Sequence, residues 1–62
     1  MSDNLRTEIK ALADALAEDN AYDDAVLMSP NVSVDEARTY PAIISERTDV
    51  IRRLRAALES TS

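Results

Sequence analysis

A chain of 62 residues makes one domain at most, and at this length folding buries only about 60% of the surface that the unfolded form exposes, so the chain's own core is marginal. With no Cys and no His, neither a disulfide nor a Cys/His zinc site can staple it, which leaves close helix packing or oligomerisation. The net charge of −5 argues against general affinity for nucleic acid, whose binding rests on neutralising phosphates.

The aliphatic inventory is six Leu, four Ile and four Val, with Tyr22 and Tyr40 as the only aromatics, which favours association over a self-sufficient core. Six Arg against one Lys, with ten Ala, is the bias of a high-GC prokaryote or one of its phages. No long apolar run is present and no basic segment precedes one, so neither export nor a membrane span is expected and a cytoplasmic setting is read. The charge is uneven: residues 1–36 hold nine acids against two bases, or −7, and residues 37–62 hold three acids against five Arg, or +2. Opposite halves of this kind favour an antiparallel hairpin within a chain or a dimer between chains. The lack of Gly argues against hairpin-rich β structure, whose tight turns need positive φ.

In chain order, Ser2 or Asp3 can cap a first helix that carries Leu5, Ile9, Leu12 and Leu16 at spacings of four, three and four. This is a narrow seam of the coiled-coil kind, flanked by Ala11, Ala13, Ala15 and Ala17. After Glu18 two readings stand. Either the helix runs on to Met28 with Asp19, Asn20 and Asp23 interrupting its seam, or it breaks near Asn20 and a short second helix follows. The break is slightly favoured. Ser29-Pro30-Asn31-Val32 reads as a loop, and Ser33 with Glu36 fits a capping box that opens a short helix to about Thr39. Pro41 is expected at the first turn of a last helix ending near Glu59.

The sequence therefore predicts an all-α fold, an antiparallel hairpin of two main helices (about 3–19 and 41–59) with one or two short helices between, completed by oligomerisation. The whole chain, 1–62, is read as a single small helical domain. The last helix carries a wide apolar stripe, and the interface candidates are Ile43, Ile44, Arg47, Val50, Ile51, Leu54 and Leu58. Such a stripe can serve two neighbours, the first helix of its own chain and a second chain. Arg47 interrupts it where a hydrophobe is expected. An antiparallel register that sets Leu5 by Leu58, Ile9 by Leu54 and Leu12 by Ile51 brings Arg47 near Leu16, with Asp19 as its expected ion-pair partner.

Catalysis has no support, since the hydroxyls lack a His to activate them and no Gly-rich phosphate loop exists. No catalytic residue, cofactor or metal site is assigned. The acids Asp14, Glu18, Asp19, Asp23 and Asp24 lack the alternating spacing and the Gly of a calcium loop. The expected function is a non-catalytic protein–protein interaction role, as an accessory, adaptor or phage-type regulatory or inhibitory protein acting as a homo-oligomer, with one other protein as partner. One alternative is an oligomer that binds an anionic small molecule such as a nucleotide through Tyr40, Arg47, Arg52, Arg53 and Arg55. The other is an acidic decoy for a nucleic-acid-binding protein.

Overall fold

The structure, a computed structural model, describes residues 2–60. Two helices make up the fold: α1, Asp3–Leu27, and α2, Val34–Ser60, packed against each other as an antiparallel hairpin. Ser2 caps α1, its hydroxyl accepting from the Leu5 N–H at 3.2 Å. At the other end the Met28 and Ser29 N–H groups return to the carbonyls of Asp24 and Val26, closing the helix without any residue at positive φ. An exit of this kind suits a chain without Gly. The capping box is present as expected: the Glu36 N–H donates to Ser33 Oγ at 3.1 Å, and the Ser33 N–H donates to Glu36 Oε1 at 3.0 Å.

Two expected boundaries are absent, and so are the short helices between the main ones. α1 passes through Asn20 unbroken. An Asn inside a helix is costly when its amide competes for the local backbone, but the Asn20 side chain is engaged across the hairpin instead. Its Nδ2 donates to Thr48 Oγ1 at 3.0 Å and to the Ile44 carbonyl at 3.4 Å. α2 likewise continues through Pro41, its eighth residue. Proline removes one donor and crowds the carbonyl four residues back, here that of Ala37. Both Pro41 and Ala37 are exposed, so water can reach the carbonyl that loses its partner, and the small Ala side chain adds no further crowding.

The packing face of α1 is rotated from the expected seam. Among the described residues only Ala13 and Ile51 are buried. Ile9 and Leu16 are half-buried, whereas Leu5 and Leu12 remain 47% and 51% exposed. The stripe turned toward α2 is Arg6, Ala13 and Asn20, spaced by seven. The small Ala13 allows close approach of the backbones, and the two polar residues find partners on α2. On α2 the matching stripe is Ile44, Ile51 and Leu58, also spaced by seven. The Ile44 and Leu58 carbonyls accept from Asn20 and Arg6.

Candidate functional site

Polar ties fix the register of the hairpin near both ends. Near the loop, Arg47 Nη1 donates to Asp23 Oδ2 at 2.8 Å and to Asn20 Oδ1 at 3.2 Å. The two charged side chains are only 22% and 16% exposed. The expected partner of Arg47 was Asp19; the structure gives Asp23 instead. Helical side chains lean toward the N-terminus of their own helix, and for α2 that end is the loop, so Arg47 reaches past the level of Leu16 to Asn20 and Asp23. At the open end, Arg6 Nη1 donates to the Leu58 carbonyl at 3.0 Å. This places a cation at the negative end of α2, whose own last turn has none. The Arg6 tie was not anticipated; a base on the first turn of α1, opposite a helix end without bases, was its only signal.

These ties define two sides of the hairpin. Asp23 and Arg47 mark one edge of the seam between the helices, and Asp14 and Arg55, 3.8 Å apart, mark the other. The second side is edged by Lys10, Asp14, Thr48, Arg52, Arg55 and Glu59, which with Ala13, Ile51, Ala56 and Leu58 line shallow clefts of about 360 and 250 Å³. Lys10 Nζ lies 2.9 Å from Asp14 Oδ2. The hydrogen bond and charge of Lys10 hold the Asp14 carboxyl below the usual carboxylate range against an opposing effect of burial, with a lesser contribution from the Arg55 charge.

The first side is apolar. Asp23 follows Leu5 by 18 residues, about five helical turns, so Leu5 and then Leu12 point to the Asp23 edge of α1. Ile43 and Val50 lie one turn on either side of Arg47 and point to its edge of α2. Leu5, Leu12 and Val50 are 47%, 51% and 44% exposed, and Ile9, Leu16, Ile43 and Leu54 beside them are half-buried. The interface candidates read from α2 therefore divide: Ile44, Ile51 and Leu58 belong to the hairpin's own seam, while Ile43, Val50 and Leu54 line the open side together with Leu5 and Leu12. Arg47 stands between the two sets. The contribution of α1 to this face was hidden in the sequence by the assumption that its leucine seam was spent on α2.

The five candidate anion ligands do not converge. Arg47 is engaged by Asp23 and Asn20, Arg53 by Asp49 at 3.2 Å within α2, and Arg55 faces Asp14. Tyr40 lies about 18 Å along the helix from the exposed Arg52. Arg52 and Arg55 do share the larger of the two clefts, but Glu59 lines it too and would repel an anion. The acidic run is similarly dispersed, with Asp23 turned to α2, Asp14 toward Lys10 and Arg55, and Glu18, Asp19 and Asp24 exposed. Among the described residues no helix is long and apolar enough to cross a membrane. Comparison with protein-family models, with curated proteins and with solved structures finds no match.

Proposed function

We propose that the protein is a non-catalytic interaction protein of the cytoplasm, an accessory, adaptor or phage-type regulatory or inhibitory subunit. It works by packing its open apolar face against another polypeptide chain, copies of itself included. The observation that carries this reading is the row of half-exposed aliphatics contributed by both helices, on a hairpin whose buried residues are Ala13 and Ile51 alone among those described. A face of this kind, bordered by charge, is what association with a protein surface requires. Among the described residues the two clefts are open and gather no converging reactive groups, which favours an interaction role over catalysis or ligand capture.

The test is comparative affinity capture from the native host with the unaltered chain and with Leu12→Glu. The expected result is a partner retained by the first and lost with the second. An identical set captured by both would remove the apolar face from the function.

A further inference from the structure

We infer that the chain covering the open apolar face is a second copy of the protein, related by a two-fold axis at mid-height of the hairpin, so that the two loops lie at opposite ends of an antiparallel four-helix bundle. This rests on the interaction reading above and names its first partner.

Size alone calls for a cover. The hairpin exposes 4661 Å², against roughly 3,950 Å² expected of a compact monomer of its mass. Its radius of gyration of 14.3 Å likewise exceeds the roughly 10.6 Å of a compact chain of this length. One broad side measures 44 × 14 Å, so two copies facing each other over its full extent would cover roughly 1,200 Å² of projected area, at the lower limit of specific interfaces.

The stripe pattern selects the second copy and its orientation. On α2 the open stripe Ile43, Val50, Ala57 is centred on Val50. A two-fold axis there sets Val50 against its counterpart and each Ile43 against the partner's Ala57, large against small. On α1 the stripe Leu5, Leu12, Asp19, Val26 is centred between Leu12 and Asp19. That midpoint lies level with Val50, because the cross-hairpin ties Asp14 to Arg55 and Asn20 to Ile44 bracket both. One axis therefore serves both helices, and Leu5 meets the partner's Val26. Asp19 lies beside the partner's Leu12 with its carboxylate turned to water, and a second carboxylate at position 12 would meet it as a like charge.

Charge agrees. Residues 2–14 and 52–60, the open end, hold four acids and five bases, or +1, while residues 15–51 hold eight acids and two bases, or −6. Loops side by side would set −6 against −6; opposed loops set −6 over +1.

The native chain has no Cys, so single cysteines report the geometry directly. Under mild oxidation Val50→Cys should form a disulfide-linked dimer in high yield, and Asn31→Cys, in the loop, should not. Adding Leu12→Glu to Val50→Cys should abolish the link. Efficient linkage through Asn31→Cys with none through Val50→Cys would overturn the orientation while leaving the interaction reading intact. A unit mass of one chain for the unsubstituted protein, by sedimentation at micromolar concentration with helix content retained, would overturn the self-pairing itself. The interaction reading would then depend on the host-capture comparison.

Discussion

Arg47 decides most at the scale of single residues. With its carboxylate partner it sits mostly out of solvent, so removing either side chain leaves the other charge desolvated and unpaired. Arg47→Ala or Asp23→Ala should each lower stability by about 1–3 kcal/mol, and the double variant should lose clearly less than the sum of the two. Asp19→Ala, at the position the sequence first suggested, should not lower stability as those two do, since Arg47 keeps Asp23 and Asn20 as partners. Chemical denaturation of the four variants at one protein concentration checks this. Asp14 offers a second test. Because its folded-state acidity is raised by Lys10 and Arg55, its contribution to stability is present above the ordinary Asp range and is lost as pH falls through the folded value. A carboxyl NMR titration should find Asp14 titrating below an ordinary Asp, and Lys10→Met should move it back up.

At the scale of elements, the helix starts were legible in the residues and the helix interiors were not. Ser2 and the Ser33/Glu36 pair act through bonds to groups within three residues, so local sequence suffices to find them. Ser33→Ala should cost about 1 kcal/mol. Asn20 and Pro41 read as breaks because their local preference is unfavourable in a helix; bonds across the hairpin to Thr48 and Ile44 offset it for Asn20, and at Pro41 water can reach the exposed turn that loses its bond. The first compensation is a property of the helix pair and the second of the surface. Pro41→Ala should accordingly stabilise the fold by about 1–3 kcal/mol, since it restores a hydrogen bond inside a continuous helix. A melting temperature unchanged by this substitution would show that the helix in fact begins at Pro41. The rotation of α1 was hidden for a related reason. Leu5, Ile9, Leu12 and Leu16 form a persuasive seam on their own, but Arg6, Ala13 and Asn20 have better partners on α2, which turns Leu5 and Leu12 outward.

For the whole molecule, the hairpin and its antiparallel sense follow from two long amphipathic segments separated by Ser29-Pro30-Asn31-Val32, and both were readable. The composite face was not, because it depends on which stripe of each helix the hairpin itself consumes. Once Ile44, Ile51 and Leu58 are spent on α1, the remaining aliphatics of α2 join the leucines of α1 on one side. A small hairpin with so little buried cannot offset the ordering of two long helices by its own contacts, since a core of this size rarely supplies more than about 3–5 kcal/mol. Folding and association are therefore expected to be one event, with stability rising with protein concentration. The most direct measurement is sedimentation equilibrium combined with circular dichroism across a dilution series. The expected result is a particle of twice the 6.8 kDa chain mass whose dissociation and loss of helix coincide, with a Leu12→Glu variant shifted to the dissociated, less helical state. A fully helical particle of one chain mass, unchanged on dilution and indifferent to Leu12→Glu, would contradict it.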